Sequence, residues 1–146
     1  MKVLVVDDND LFRRRTCALF ESAEGITVVG EAKDGQRAIA LIGEACPDIV
    51  LLNVGTPQAS NLQMVGQIGE LFPHIKIIVL NDEGQEQLVL EALRRGALGH
   101  LVKGKTRPAE IVEAVRAVGK GEAVLSPGVA GCMLDEYLLK KLGEDP

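Results

Sequence analysis

A chain of 146 residues can bury one substantial core but has no room for a second globular unit. Hydrophobic residues make up 47% of it and aromatics only 3%, so the core must be assembled from Val, Leu, Ile and Ala, the usual material of a sheet covered on both faces. The net charge of −5 argues against this chain itself holding a phosphate backbone, which needs a basic face, so any DNA contact is expected from a separate domain.

Lys2 to Val6 is a short apolar run ending on Asp7 and Asp8, and it predicts a first strand. Asn9 or Asp10 is suited to cap the helix that follows, with Leu11, Ala18 and Leu19 expected on its inner face. A second strand is expected from Gly25. Asp34 then caps a second helix, in which Ala38, Leu41, Ile42 and Ala45 keep the helical period. The stretch around Ile49 to Val54 is the most informative. Bounded by Pro47 and by Gly55 with Pro57, it reads as a strand buried on both faces, yet it carries an amide, Asn53, at its carboxyl end.

Leu62, Val65, Ile68 and Phe72 mark a third helix, and residues 75 to 81 a fourth strand that again stops on an amide, Asn81. A fourth helix uses Leu88, Val89, Ala92 and Leu93 and stops at Gly96, a candidate left-handed cap. The run from Gly99 to Lys103 is a fifth strand. Thr106 is expected to cap a fifth helix with Ile111, Val112, Val115 and Val118 facing inward and Pro108 in its first turn. Ser126 and Pro127 open a sixth helix, whose expected apolar stripe is Leu134, Leu138 and Leu142. Gly131 weakens it by about 1 kcal/mol relative to alanine.

Strand and helix alternate every 20 to 25 residues, which predicts right-handed crossovers and a doubly wound, five-stranded parallel sheet with an extra C-terminal helix. Strand ends then supply Asp7 and Asp8, Asn53, Asn81 and Lys103. If the strand order reverses between the first and third strands, these side chains converge on one crevice. Loop residues are often polar, which accounts for any one of them; a polar side chain at the end of four strands points to a shared pocket. The apolar runs are too short to span a bilayer and the amino terminus has no leader-like pattern, so a cytoplasmic location is expected, with no membrane partner. Cys17, Cys46 and Cys132 are odd in number and widely spaced, which fits reduced thiols.

Taken together, VLVVDDND, PDIVLLN with the following TP pair, IIVLN, EALRRGALGHLVK and EIVEAVRAVGKGEAVLSP resemble the receiver domain of two-component response regulators over nearly the whole chain. The likeness is greatest to LuxR/NarL-type transcriptional regulators. It implies a flavodoxin-like receiver fold of strand order 2-1-3-4-5. It further implies a receiver over residues 1–121 and, over 122–146, a linker helix leading toward a helix-turn-helix DNA-binding domain outside this chain. In the family an aspartate at the place of Asn53 takes a phosphoryl group from a histidine kinase. Residues like Asp7 and Asp8, with a main-chain carbonyl at the place of Gly55, hold Mg²⁺. A lysine like Lys103 pairs with the phosphoryl, while a hydroxyl at the place of Asn81 and an aromatic at that of His100 move to sense it. Such receivers often pair through the face of helix four, strand five and helix five, and their first helix meets kinases.

The sequence departs from this pattern at the point that carries the chemistry. An acyl phosphate forms when an anionic oxygen attacks phosphorus, and an uncharged amide is no substitute. Mg²⁺ suffers too, because one unit charge at about 4 Å is worth roughly 4 kcal/mol at an effective dielectric near 20, and half of that already weakens binding more than about tenfold. No tightly bound cofactor is expected, and Mg²⁺ at most weakly, on Asp7, Asp8 and Gly55. Asn81 and His100 depart from the switch residues as well, which a laboratory exchange at position 53 alone would not explain. The expectation is a non-enzymatic, phosphorylation-independent receiver in which Lys103 pairs with Asp7 or Asp8 and which acts through protein contacts, including a homodimer through the helix four to helix five face or helix six. The alternative is a conventional phospho-receiver with an altered acceptor position or another carboxylate such as Asp82. A flavin-type cofactor protein of the same topology is disfavoured by the acidic cluster after strand one, which would repel its phosphate. Arg13, Arg14 and Arg15 are expected to form a solvated face, or more sharply a docking patch. Arg94 and Arg95 suit the negative end of a helix dipole, or an ion pair between subunits.

Overall fold

The strands are where the apolar runs place them: β1 (Lys2–Val6), β2 (Thr27–Ala32), β3 (Ile49–Asn53), β4 (Lys76–Asn81) and β5 (Gly99–Val102). The computed structural model describes residues 1–55 and 60–143; the TP pair at 56–57 and the last three residues of the tail lie outside them. Helices alternate with the strands: α1 (Asp10–Glu21), α2 (Gly35–Ala45), α3 (Ser60–Leu71), α4 (Glu86–Arg94) and α5 (Pro108–Gly119), followed by α6 (Pro127–Lys141). The sheet order is β2-β1-β3-β4-β5, and each neighbouring pair is parallel. The chain therefore reverses its winding between β1 and β3, and a crevice opens where these two strands end.

Side chains alternate across the strands and so build two cores. Leu4, Val6, Val50, Leu52, Ile77 and Val79 meet α2, α3 and α4 on one face, whereas Val3, Val5, Ile49, Leu51, Ile78 and Leu80 meet α1 and α5 on the other. β3 is buried along its whole length, which explains why its sequence is a continuous apolar run rather than an alternating one.

The first helix packs on a different face from the one its leucines suggest. Leu11 and Ala18 are exposed, and the buried positions are Arg13, Thr16, Cys17 and Phe20. Phe20 is the largest fully buried side chain of that core, and burying it is worth roughly 2–3 kcal/mol, enough to set the helix phase. The arginine run is consequently split: Arg14 and Arg15 face solvent, but Arg13 is buried. At the start of α5, Arg107 rather than Thr106 is the cap. Its N–H donates to Glu110 Oε1 at 3.1 Å, while the Thr106 hydroxyl donates back to the Val102 carbonyl.

The sixth helix also differs from expectation. Leu134, Leu138 and Leu142 point outward, and Val129 is the buried residue, set against Val89 and Leu90 of α4 with Cys132 beside them. Arg94 of α4 pairs with both Glu91 and Glu136, the latter on α6. Its role is thus an intrachain clamp between two helices, and Arg95 likewise pairs with Glu91. Val124 bridges to Gly99, so the segment before α6 lies along the free edge of β5 and covers it.

Candidate functional site

Asp7 leaves β1 at the reversal point with no exposed surface and accepts three hydrogen bonds. The Asn9 N–H reaches its Oδ1 at 2.9 Å, Asn53 Nδ2 reaches the same oxygen at 3.2 Å, and Lys103 Nζ reaches Oδ2 at 2.8 Å. The Lys103 ammonium also lies 4.2 Å from the centre of the Phe12 ring on α1, a cation–π contact that helps hold it across the crevice. Three strand ends are thereby tied by one buried carboxylate. Removing one member of such a pair costs about 3–5 kcal/mol, because the other charge is left buried without its partner.

Asn53 uses both ends of its amide. Nδ2 donates to Asp7, and Oδ1 accepts from the Gly55 N–H at 2.9 Å. A carboxylate at this position has no proton to offer Asp7 and would set a second negative charge against it; the amide satisfies both neighbours at once. The loop after β3 is held from behind as well. Asn61, buried on α3, donates to the Asn53 carbonyl at 2.8 Å and accepts from the Gly35 N–H at 2.8 Å. Gln85 donates to the Gly55 carbonyl at 3.1 Å and accepts from the Asp82 N–H at 2.8 Å.

These contacts bear directly on a divalent cation. The Gly55 carbonyl already accepts from Gln85, the Asp7 carboxylate from three donors, and Asn53 presents its NH₂ to Asp7. Asp8 is exposed and makes no side-chain hydrogen bond among the described residues. No group of three or more metal-ligating side chains occurs among the described residues either. Mg²⁺ takes nearly ideal octahedral oxygen ligands and sheds water reluctantly, and this donor set does not fit it.

Asn81 and His100 are both buried, and the Asn81 carbonyl accepts from the Lys103 N–H at 2.9 Å, but neither side chain hydrogen-bonds to the Asp7 cluster. Asn81 Nδ2 donates to the Asp82 carbonyl at 2.7 Å, which leaves Oδ1 without a partner, and neither ring nitrogen of His100 has one. His100 is therefore packed without a side-chain hydrogen bond. Burial holds its pKa below the usual 6.5, against a smaller opposing pull from Glu86.

Four residues that hold the site gave little sign of themselves in the sequence. Arg13 donates to the Asp7 carbonyl at 2.7 Å and pairs with Asp10 and Glu31, bracing β1 against α1 and β2. A run of arginines hides the member that turns inward. Phe12, Asn61 and Gln85 act on Lys103, on the Asn53 carbonyl and on Gly55. Their only sequence signal is position, at the start of a helix that follows a strand end: an aromatic ring for Phe12 and a polar side chain for Asn61 and Gln85.

The model of the response regulator receiver domain matches residues 3–116, more than half of the chain. The chain belongs to the response regulator receiver domain family. Among curated proteins it is 34% identical over 141 residues to the uncharacterized transcriptional regulatory protein YxjL of Bacillus subtilis, covering 97% of this chain and 64% of that one. To the transcriptional regulatory protein LiaR of the same organism it is 34% identical over 145 residues, covering 99% and 67%. A crystal structure of a LuxR-family response regulator from Aurantimonas matches with a TM-score of 0.82 at 28% identity, covering 94% of this chain and 97% of that one. Receivers similar to this one thus come from LuxR/NarL-type transcriptional regulators. This receiver spans only about two thirds, or less, of the curated relatives' length.

Proposed function

We propose that this receiver works without phosphorylation, as a protein-interaction module of a transcriptional regulator. Asn53 stands where the family's acceptor aspartate would be, and the observation that carries the reading is its double use: the amide donates to Asp7 and accepts from Gly55. Position 53 therefore acts as a structural joint. With Lys103 already on Asp7, the lysine that would meet an incoming phosphoryl group is engaged by the protein's own carboxylate. The crevice is closed by internal hydrogen bonds, and its conformation is set by them.

On this reading the chain is not an enzyme, binds Mg²⁺ weakly at best, and resides in the cytoplasm. Its output passes through a homodimer, using the α4–β5–α5 face or α6, and through contact with a histidine kinase or another regulator. DNA is reached by a separate helix-turn-helix domain, with residues 1–121 as the receiver and 122–146 as the linker. The test is a titration with Mg²⁺ and beryllofluoride, a phosphoryl mimic, followed by two-dimensional NMR. Unchanged Asn53, Asn81 and Lys103 resonances at sub-millimolar concentrations are expected, and saturable shifts there would refute the proposal.

A further inference from the structure

The leucine stripe of α6 is turned away from the rest of its own chain. Val129, Cys132 and Glu136 face α4, where Val129 meets Val89 and Leu90 and Glu136 pairs with Arg94. Leu134, Leu138 and Leu142 fall on the opposite side of the helix and are 56%, 46% and 73% exposed. Met133, Tyr137 and Leu139 are exposed beside them, so α6 holds six of the nine large apolar side chains that the described residues show to solvent. Single exposed leucines need no explanation, but a contiguous apolar stripe marks a contact surface.

The charges of α6 indicate what covers the stripe. Asp135 and Glu136 stand at its middle, Lys140 and Lys141 in its last turn. Glu136 is taken by Arg94, and Lys140 lies on the same side of the helix as Glu136, so Asp135 and Lys141 are the charges that flank the leucines, one along each border. The Lys141 ammonium stays at that border, 5.9 Å from the centre of the Tyr137 ring. A two-fold axis at Leu138 brings up a second α6 antiparallel to the first. Leu134 of each copy then meets Leu142 of the other, and Asp135 of each stands level with Lys141 of the other. A parallel pairing would instead set Asp135 level with Asp135 and Lys141 with Lys141, and would align the two helix dipoles unfavourably. Because the stripe points away from α4, the two receivers lie on opposite sides of the paired helices and do not collide.

From this we propose that α6 is a self-complementary contact: two copies of the chain pair antiparallel through Leu134, Leu138 and Leu142, with Asp135 and Lys141 setting the direction. This rests on the homodimer of the proposed function and commits it to one surface, leaving the α4–β5–α5 face free. Arg94 and Val129 hold α6 on its receiver, so pairing the helices also fixes how the two receivers stand to one another. A contact between two short helices falls at the small end of interfaces, below about 1,200 Å², and the dimer is accordingly weak.

The experiment is sedimentation equilibrium of the whole chain over a concentration series. A monomer–dimer equilibrium with Kd below about 200 μM is expected. Leu138→Glu sets two carboxylates against each other at the axis and should weaken the dimer about tenfold or more; the side chain is exposed, so the fold is kept. Asp135→Lys should weaken it about threefold or more, and adding Lys141→Asp should restore it. Glu113→Arg, on the exposed side of α5, should change nothing. A chain still monomeric at about 200 μM has its stripe covered by another part of the regulator or by a different protein, and overturns the proposal. Species larger than a dimer do the same, as does a dimer indifferent to L138E or to D135K, or one that the double exchange fails to restore. A dimer dissociated by E113R also overturns it, while keeping a homodimer on the α4–β5–α5 face. The silence of Asn53 toward beryllofluoride is read separately, so the phosphorylation-independent reading stands or falls on its own.

Discussion

Lys103 and Asp7 meet at 2.8 Å across the mouth of the sheet, the carboxylate fully buried and the lysine side chain partly so. In a receiver that responds to phosphate this lysine must be available to an incoming anion. Here it is held by an anion of the protein, with Phe12 beneath it. Removing the ammonium should leave Asp7 buried with its main partner gone. Lys103→Met is expected to lower unfolding free energy by about 3 kcal/mol in urea titrations. The double variant Asp7→Asn with Lys103→Met should recover most of that loss, since neither charge then remains buried.

His100 gives the molecule a pH dependence with a defined sign. Burial depresses its folded pKa below the unfolded value of 6.5, so between those two values the unfolded chain binds more protons. Stability must therefore fall as pH drops below about 6.5, level off below the folded pKa, and stay insensitive to this residue above 6.5. Midpoints of urea unfolding followed from pH 7.5 downward should show a decline that His100→Phe reduces.

Gly35 opens α2 where a side chain has no room. A Cβ there would lie 2.2 Å from Met64 Cγ and 3.2 Å from Asn61 Oδ1, and the Gly35 N–H is the donor that holds Asn61. Gly35→Ala should cost about 1–3 kcal/mol by overpacking. Because Asn61 also donates to the Asn53 carbonyl, NMR of the variant should show shifts spreading to Asn53, whereas purely local strain would stop at Met64.

Cysteine reactivity should separate cleanly. Burial, with Glu31 nearby, pushes the Cys17 thiol up to about 12, whereas Cys46 is exposed at the end of α2, at a left-handed φ of 47°. Iodoacetamide at neutral pH should label Cys46 while Cys17 stays unmodified until the chain unfolds. Peptide mapping of alkylated protein measures the order.

Putting the carboxylate back tests whether position 53 is a joint. Asn53→Asp removes the donor to Asp7 and adds a like charge beside it. The variant should lose about 2 kcal/mol near neutral pH and regain stability with Mg²⁺, a response the parent chain should lack. Equal Mg²⁺ dependence in both proteins would contradict the donor-set argument.

The sheet was legible because its signal is repetitive. Continuous apolar runs ending on Asp7, Asn53 and Asn81 fix strand ends, whereas the reversal between β1 and β3 is what the resemblance to receivers implies, since alternation of elements alone suits other strand orders too. What stayed hidden depends on helix phase and on tertiary partners. Leu11 and Leu134 look like core residues, but Phe20 and Val129 set the rotation of their helices and turn them out. Arg13 looks like surface, yet three acceptors from β1, α1 and β2 draw it in. Thr106 looks like a cap, but its hydroxyl finds the Val102 carbonyl first. The missing partners of His100 could not be read from sequence, because they depend on how the segment before α6 lies along β5.

The most direct measurement is the intact mass of the chain after incubation with acetyl phosphate and Mg²⁺. With Asn53 bound to Asp7 and Gly55 and Lys103 already paired, the mass should remain that of the unmodified protein. The addition of one phosphoryl group, on Asn53, Asp82 or any neighbouring carboxylate, would contradict the account.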